Sequence, residues 1–370
     1  MSLRLLAKTM AAETLCRTGA DRLFGGRTAQ RALVLGYHQV VDDVRNAGPS
    51  IPAMVISTAM LERQLDWVGR HFRFVSLDEL GQRLESGRAG EPPLAAVTFD
   101  DGYRDVYEHA FPLLQRMGIP GAVYVVTDFV GTGRLMMHDR VHLLVSRLLA
   151  EPPSARAQLI EQLRDAGPVP VLEGIERQRP RDTFAVMRAL LESARSARLE
   201  RLVAALAQAG GWDEEPVSEL RVLDWDMVRT MHRAGFAIGS HTATHALLTL
   251  EAPDRVGQEL SGSRKRLEDE LGAPVRHFAY PDGRFDGAVV DAVAEAGYRF
   301  AYTICRHRDR RHPLLSVPRR LLWENSCRDS AGRFSPSMMR GLVQGVFDWF
   351  GRCRQDHGAA PVRQPQRAIA

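Results

Sequence analysis

Two carboxylates stand side by side where an apolar stretch of the sequence ends. Residues 94–99 read Leu-Ala-Ala-Val-Thr-Phe, and Asp100, Asp101 and Gly102 follow at once. Carboxylates at the end of a buried strand are costly unless a cation or hydrogen bonds compensate their charge. One of them can therefore bind a metal ion while its neighbour accepts a proton. Asp-Gly is also a common turn signal, so this segment alone does not distinguish a metal site from a turn.

A second segment carries two histidines four residues apart. Residues 240–245 read Ser-His-Thr-Ala-Thr-His and also follow a short apolar run. His241 and His245 can converge on one ion if the turn between them is helical, although an isolated pair of this spacing is more often a pair of surface or capping histidines. Because both segments end separate strands of one alternating pattern, we predict that Asp101, His241 and His245 bind a divalent metal and that Asp100 is the base.

This ligand set leaves coordination positions open for water and substrate, as a catalytic zinc or a similar divalent ion requires.

A third strand-end turn reads Phe-Ala-Tyr-Pro-Asp-Gly and ends in Tyr280, Pro281, Asp282 and Gly283. Taken alone these four residues are simply a turn. Beside a metal site, the peptide N–H of Asp282 could face a developing oxyanion.

Strand and helix patterns alternate along most of the chain, which predicts a parallel sheet or barrel with its site at the carboxyl ends of the strands. Arg, Leu, Ala and Glu dominate residues 134–220, which we interpret as a helical insertion. Strands are predicted at 32–37, 94–99, 122–126, 236–240, 275–280 and 298–304, and helices at 57–71, 76–87, 105–117, 224–234, 253–271 and 286–296.

The composition of the chain indicates a globular protein and narrows its expected partners and location. The chain has 370 residues, 45% of them hydrophobic, a formal net charge of +4 and four separated cysteines. Its basic residues are spread along the chain, so nucleic acid is not the expected partner. The cysteine spacing indicates neither a disulfide framework nor a zinc-thiolate cluster, and no apolar run is long enough for a transmembrane helix. We expect a cytoplasmic protein, one that can lie peripherally at the inner face of the membrane.

The expected organisation has three parts. Residues 1–30 form an amphipathic N-terminal segment, 31–354 the barrel with its insertion, and 355–370 a disordered tail rich in Pro, Arg, Ala and Gln. Within the first part, residues 3–24 could contact a membrane surface. Packing of this helix on its own domain explains the same pattern equally well.

The three segments at 98–102, 240–245 and 278–283, in this order, resemble the core motifs of the polysaccharide deacetylases, the carbohydrate esterases of the nodulation-protein-like type. The resemblance covers roughly residues 33–130 and 222–322. It implies an irregular (β/α) barrel of about seven parallel strands with a divalent metal, zinc first and cobalt, nickel or manganese as alternatives. It also implies removal of acetyl groups from N-acetylhexosamines of a bacterial polysaccharide or a lipid-linked glycan precursor.

Further matches, including Leu-Gly-Tyr-His-Gln-Val-Val at 35–41, resemble the bacterial exopolysaccharide deacetylases. The usual late motif with its general-acid histidine is not evident. The resemblance therefore makes His38 the candidate proton donor, with orientation of Asp100 or of a loop as the alternative role. His277 and His312 are weaker candidates for the donor.

The resemblance also assigns a basic partner to Asp100. In the manner of the family's motif arginines, Arg319 or Arg320 would tether this carboxylate, and the sequence does not tell which of them points inward.

Two other functions of the whole protein stay open. One is a non-catalytic glycan-binding or assembly protein on the same barrel, and the other is a deacylase or deformylase for a different acyl group.

Overall fold

The structure is a computed structural model. It describes residues 3–20, 32–87, 93–163, 171–172, 183–212, 217–350 and 357. The strands are β1 Ala32–Tyr37, β2 Gln39–Val41, β3 Val55–Ser57, β4 Arg73–Phe74, β5 Leu94–Phe99, β6 Gly121–Val125, β7 Ala237–Ser240, β8 His277–Ala279, β9 Phe300–Thr303, β10 Val317–Pro318 and β11 Arg320–Leu321. The helices are α1 Leu3–Thr18, α2 Thr58–Gly69, α3 Leu77–Glu85, α4 Phe111–Met117, α5 Met137–Ala150, α6 Pro153–Gln162, α7 Thr183–Leu191, α8 Ser196–Gly210, α9 Trp225–Arg233, α10 Pro253–Leu271, α11 Gly287–Glu295 and α12 Pro336–Val343.

The main sheet is parallel and nearly closes into a barrel. Its order is β10-β9-β8-β7-β6-β5-β1-β11, with β4 added beside β5. The first and last strands of this order are consecutive in sequence: β10 pairs with β9, β11 pairs with β1, and only Arg319 separates them. The segment 317–321 thus acts as one strand that joins both edges of the sheet. This gives the expected barrel of about seven parallel strands.

Burial explains why the strands are apolar on both faces. Every residue of β5 and of β6 is buried, because helices cover the outside of the barrel and other side chains fill its interior. Two of the covering helices start as the sequence predicts. The hydroxyl oxygen of Ser57 accepts a hydrogen bond from the Met60 N–H and caps α2, and Ser76 caps α3 in the same way.

One predicted helix differs in detail. Residues 105–117 were expected to form a single α-helix, but Val106–Ala110 are a π-helix that passes into α4. Pro112 has no N–H to donate to the preceding turn, and a local widening of the helix accommodates that missing hydrogen bond.

The insertion is helical, as predicted. Helices α5 to α8 bury a hydrophobic cluster of their own, separate from the barrel core. Both ends of the insertion meet the barrel near Tyr103, which shares one buried hydrophobic cluster with Met136 and Leu220. The Tyr103 backbone also forms an antiparallel bridge with Val222, just after the insertion. The insertion therefore lies directly beside the turn that carries Asp100 and Asp101.

The N-terminal helix α1 packs on α12. Thr9 and Ala12 are buried, and the Cys16 thiol donates to the Ser337 carbonyl oxygen. Of the predicted 3–24 segment, residues 21–24 lie outside the described residues, as does the 355–370 tail apart from His357. Within the described ranges, no helix combines the length and apolar character needed to cross a membrane.

Candidate metal centre

Asp100 and Asp101 lie at the carboxyl end of β5. The Asp100 N–H donates to the Tyr37 carbonyl oxygen at 2.8 Å and so continues the pairing of β5 with β1. The chain then turns sharply, with φ of 68° at Asp101 and 69° at Gly102. This turn leaves both carboxylates buried at the mouth of the barrel, where the other strand ends also converge.

Unusual backbone conformation is concentrated in the three motif segments. In the described part of the chain, the non-glycine residues with positive φ are Asp101, Thr242, His245 and Asp282. Each such residue costs on the order of 1 kcal/mol and persists only where the surroundings impose it, which is commonest at functional sites. The three segments predicted from the sequence are therefore also the strained turns of the fold.

Asp101, His241 and His245 form a group that can hold a metal ion, with their ligand atoms all within 4.8 Å of one another. Asp101 Oδ1 lies 3.5 Å from His241 Nε2 and 3.3 Å from His245 Nε2. Ligands of a tetrahedral zinc stand about 3.3 Å apart. Among the described residues, neither buried oxygen of Asp101 has a hydrogen-bond partner. The donor set and its orphaned carboxylate fit a divalent ion.

Protonation in the metal-free site follows from burial. Burial, followed by the charges of Asp100 and Asp139, raises the pKa of Asp101 well above its ordinary value. Burial lowers the pKa of both His241 and His245, so both imidazoles are neutral near pH 7, as metal ligation requires. His241 Nδ1 lies 2.8 Å from the Ala279 carbonyl oxygen, which fixes the ring with Nε2 towards Asp101.

A buried glutamate of α10 shapes the turn between the two histidines. Glu259 Oε2 accepts the N–H groups of Ala243 and Thr244 at 2.9 Å each, and its Oε1 accepts the Thr244 hydroxyl at 2.6 Å. The His245 N–H donates to the Thr242 hydroxyl oxygen at 2.8 Å. These bonds replace the regular helical turn assumed from the sequence, and they still bring both imidazoles to one point.

Arg319 is the arginine that holds Asp100. Its Nη1 donates to Oδ1 at 2.6 Å and its Nη2 to Oδ2 at 2.7 Å, and both side chains are buried. Burial acts to raise the pKa of Asp100, but the Arg319 charge and hydrogen bonds outweigh it and the pKa is lowered to about 2. Arg320, the other candidate, points away and pairs with Asp348. The tether proposed for Arg320 is therefore absent from this site.

His38 faces the two carboxylates. Its Nε2 lies 3.9 Å from Asp100 Oδ2 and 4.0 Å from Asp101 Oδ2. Burial lowers the pKa of His38 to about 4, against the raising effect of the Asp100 charge. His38 is thus placed to exchange a proton with Asp100, and it is neutral at pH 7.

The two weaker histidine candidates lie elsewhere. His277 stands at the first position of β8, the opposite end of the strand from the site, and contacts Asp78 at 3.3 Å and the Tyr302 hydroxyl at 3.1 Å. His312 lies 3.4 Å from Asp291 on a partly exposed surface. Their ion-pair partners in the described part of the chain are Asp78 and Asp291, so the structure does not bring these two histidines to the site.

The residues of the predicted oxyanion turn have different roles in the structure. Tyr280 is fully buried and donates its hydroxyl to the Leu315 carbonyl oxygen at 2.7 Å, so its side chain supports the core. Pro281–Gly283 form a short 3-10 turn directly after the strand that orients His241. The Asp282 carboxylate lies 3.4 Å from Arg188 of the insertion. An oxyanion contact by the Asp282 N–H stays a prediction.

Three site residues were missed in the sequence. Tyr103, His138 and Asp139 form a buried cluster in which His138 Nε2 lies 3.9 Å from Asp101 Oδ2. Burial lowers the pKa of His138 to about 3 and raises that of Asp139 to about 7. The signal available was the run His-Asp-Arg-Val-His at 138–142, which repeats the four-residue histidine spacing inside the insertion.

Comparison with known families finds a match to the polysaccharide deacetylase model over residues 87–171 and 183–301. The poly-β-1,6-N-acetyl-D-glucosamine N-deacetylase of Staphylococcus aureus strain NCTC 8325 is 30% identical over 111 residues, which cover 27% of this chain and 37% of that protein. The protein of the same description from Escherichia coli K12 is 21% identical over 294 residues, covering 79% of this chain and 37% of that protein. The matched region therefore spans little more than a third of either relative.

Solved structures share the fold. A Streptococcus pyogenes deacetylase, PplD, in complex with acetate superposes with a TM-score of 0.53 at 16% identity, covering 85% of this chain and 98% of that one. The structure of IcaB from Ammonifex degensii gives a TM-score of 0.51 at 18% identity, with 85% and 97% covered. At these identities the likeness establishes the barrel architecture alone.

Proposed function

This chain belongs to the polysaccharide deacetylase family, and from that premise we propose that it is a metal-dependent hydrolase of N-acetylated glycans. It would remove acetyl groups from N-acetylhexosamine residues of a bacterial polysaccharide or of its lipid-linked precursor. One observation carries the proposal: the ligand set of Asp101, His241 and His245 stands beside Asp100, a second carboxylate held ionised. A protein that only binds glycans needs no such pair, so the arrangement favours catalysis.

The proposed metal is zinc, with cobalt, nickel or manganese as alternatives, held by Asp101, His241 and His245. When bound, such an ion supplies Lewis-acid activation of water and of the acetyl carbonyl. The chain itself supplies the orientation. Ala279 fixes the His241 ring and Glu259 fixes the turn before His245, so the donor atoms are in place before any ion arrives.

Asp100 is the proposed base. Its low pKa keeps it ionised, and Arg319 fixes its plane, so its remaining lone pairs can accept a proton from the attacking water. The water oxygen bonds to the acetyl carbon, the C–N bond breaks, and the products are acetate and a free amine. The peptide N–H of Asp282 is the proposed donor to the oxyanion.

His38 is the proposed proton donor to the leaving amine. Because burial lowers the pKa of His38 to about 4, it starts neutral and must first gain a proton. The 3.9 Å separation from Asp100 Oδ2 allows the proton taken from water to pass to His38 after a movement of about 1 Å, and catalytic hydrogen bonds commonly shorten in this way when substrate binds. His38 then protonates the amine nitrogen.

The names of the relatives support the proposed substrate class. Those from Staphylococcus aureus and Escherichia coli are named for N-deacetylation of poly-β-1,6-N-acetyl-D-glucosamine. We propose an N-acetylated glycan of this kind as substrate, in the cytoplasm or at the inner membrane face.

Membrane contact through residues 3–24 is part of this proposal. Liposome sedimentation of the full chain and of a chain lacking these residues checks it, and equal recovery in the supernatant would count against contact.

The reaction is tested with a panel of substrates. Protein stripped with a chelator and reloaded with zinc is incubated with N-acetylated and N-formylated hexosamine oligomers, and acetate, formate and free amine are quantified. The proposal expects acetate and amine in equal amounts. Formate release without acetate would favour the deformylase alternative. Zinc binding without any acyl release over the panel would favour the glycan-binding alternative.

A further inference from the structure

The first turn of helix α5 brings a histidine and an aspartate from the insertion to the metal centre. The Tyr103 hydroxyl lies 2.8 Å from His138 Nε2, and 2.9 and 3.0 Å from the two oxygens of Asp139. All three side chains are buried. Tyr103 directly follows the Asp-Asp-Gly turn in sequence, so the cluster links the insertion to the strand end that carries Asp101.

The two oxygens of Asp101 face different partners. Oδ1 is the oxygen nearest His241 and His245, at 3.5 and 3.3 Å. Oδ2 instead lies 3.9 Å from His138 Nε2 and 4.0 Å from His38 Nε2. Four imidazoles thus surround the Asp101 carboxylate, two of them nearest to Oδ1 and two nearest to Oδ2. Rotation of the carboxylate about its Cβ–Cγ bond would move Oδ1 away from the ligand position unless something holds Oδ2.

The hydrogen bonds of the cluster suggest which nitrogen of His138 carries the proton. A tyrosine hydroxyl has one hydrogen, and when Tyr103 donates it to Asp139, its oxygen lone pair accepts from His138 Nε2–H. His138 Nδ1 is then without a proton, which agrees with its lack of a hydrogen-bond partner among the described residues. The single Nε2 hydrogen then points at the Tyr103 oxygen. The same electropositive edge of the imidazole faces Asp101 Oδ2 at 3.9 Å, a distance at which a carboxylate is attracted to the N–H dipole without forming a hydrogen bond.

We propose that His138 is a positioning residue of the metal centre. Held by Tyr103 and Asp139, it presents its Nε2 edge to Asp101 Oδ2 and so keeps Oδ1 directed at the metal position. The inference deepens the proposed function and rests on it. Its consequence is that the helical insertion helps to build the metal centre.

His142 provides a matched control. It lies one turn further along α5 and is also largely buried, but it is not among the histidines that the described structure places within 4.0 Å of Asp101. The comparison therefore uses the full-length protein with His138→Phe, which removes the N–H, His138→Gln, which retains a donor, and His142→Phe. Tyr103→Phe adds a variant that removes the anchor of His138 and leaves His138 itself in place.

The measurement is the dissociation constant of zinc, obtained by competition with a chromophoric chelator, together with the absorption spectrum of the cobalt-loaded protein. Removal of a group that orients a metal ligand typically weakens binding about 10- to 100-fold. We expect a loss of this size for His138→Phe, smaller losses for His138→Gln and Tyr103→Phe, and no more than about twofold for His142→Phe. The cobalt spectrum should change for His138→Phe and stay unchanged for His142→Phe.

Two results would overturn the inference, and they are distinguishable. Wild-type affinity in His138→Phe, with wild-type protein that binds zinc tightly, would refute the role of His138 and leave the proposed function standing. Absence of zinc binding by the wild-type protein would refute both. If His138→Phe fails to fold, wild-type zinc affinity in Tyr103→Phe and His138→Gln would equally refute the role.

Discussion

Arg319 and Asp100 form a buried bidentate ion pair where the segment 317–321 joins the two edges of the sheet, with N–O distances of 2.6 and 2.7 Å. Arg319 is the single residue between the strand that pairs with β9 and the strand that pairs with β1. Closure of the barrel and orientation of the proposed base are therefore linked through one side chain. Substitution of Arg319 should therefore lower the catalytic rate while leaving the metal ligands in place.

Replacement of Arg319 by Lys keeps a positive charge but loses the two parallel hydrogen bonds. Because those bonds and the Arg319 charge lower the pKa of Asp100 to about 2, we expect that pKa to rise in the variant. The acid limb of the kcat/KM profile should move to higher pH, and kcat/KM at pH 7 should fall about tenfold or more. In a pH–rate profile from pH 4 to 9, the wild type should show no acid limb due to Asp100, because its pKa of about 2 lies below this range. The variant should show such a limb, and the values at pH 7 give the loss of kcat/KM.

The control for this variant is Arg320→Lys. Arg320 directly follows Arg319 in the sequence. It pairs with Asp348, and that pair lies partly exposed outside the site. Its replacement should leave the pH profile unchanged. Equal shifts in both variants would mean that the effect comes from weakened barrel closure and that Arg319 does not set the protonation of Asp100.

Metal binding should depend on pH with a definite sign. In the metal-free protein the pKa of Asp101 is raised, so the stability that its protonated form contributes is lost as the pH rises above the ordinary aspartate range. A metal ion displaces that proton. The gain in melting temperature on adding zinc should therefore increase from pH 5 to pH 8, as measured by thermal unfolding with and without a chelator.

Asp101→Asn is the matched variant for that measurement. It removes the charge and one metal-binding oxygen while keeping the shape of the side chain, so the zinc-induced rise in melting temperature should disappear at every pH. The same zinc-induced rise in Asp101→Asn as in the wild-type protein would show that the ion binds elsewhere.

Glu259 should support the metal centre through the backbone. Its carboxylate accepts the N–H groups of Ala243 and Thr244, and Glu259→Gln would place an amide N–H against one of these donors. We expect the free energy of unfolding to fall by about 2 kcal/mol and zinc affinity to fall with it. Denaturant unfolding and zinc competition are the measurements.

Glu268→Gln in the same helix separates the two effects. Glu268 accepts hydrogen bonds from Arg264 and from the Val275 N–H, and it has no part in the 240–245 turn. This variant should lose stability without losing zinc affinity. A parallel loss of zinc affinity in both variants would mean that affinity merely follows global stability.

Arg188 connects the insertion to the turn after β8. It contacts both Asp282, at 3.4 Å, and Glu192 of its own segment, at 2.9 Å. Because the pair is partly exposed, Arg188→Ala should change the free energy of unfolding by less than about 1 kcal/mol. If the insertion borders the substrate groove, KM for long oligosaccharides should rise while kcat stays near the wild-type value.

Glu200→Ala is the control for Arg188→Ala, since it removes an ion pair with Arg140 that lies entirely within the insertion. Its KM should equal that of the wild type. Steady-state kinetics with short and long oligomers provide the comparison. A lowered kcat with unchanged KM in Arg188→Ala would count against a position of the insertion beside the bound substrate.

Much of the fold and the main ligands could be predicted because their signals are local. The apolar runs at 94–99 and 236–240 predict buried strands, and the polar residues at their ends must meet at one end of a parallel barrel. Asp101, His241 and His245 therefore follow from strand position and residue type, without knowledge of tertiary contacts.

The remaining site residues depend on tertiary structure. Strands β10 and β11 have two residues each, too few for an inside-outside alternation to show which of Arg319 and Arg320 points inward. His138 lies in a helix of the insertion, and only the packing of that helix on Tyr103 brings it to the metal centre. The four-residue histidine spacing at 138–142 can single out His138, but it carries no information about the contact between the insertion and the barrel.

Metal-dependent deacetylation with Asp100 as the base is measured as acetate release from an N-acetylglucosamine oligomer by the zinc-loaded wild-type protein, its chelator-stripped form and Asp100→Asn. We expect acetate and free amine in equal amounts from the zinc-loaded wild type, and almost none from the stripped protein. For Asp100→Asn we expect a rate lower by a factor of about 100 to 10,000, with zinc still bound. Acetate release at the wild-type rate by Asp100→Asn or by the stripped protein would contradict this mechanism.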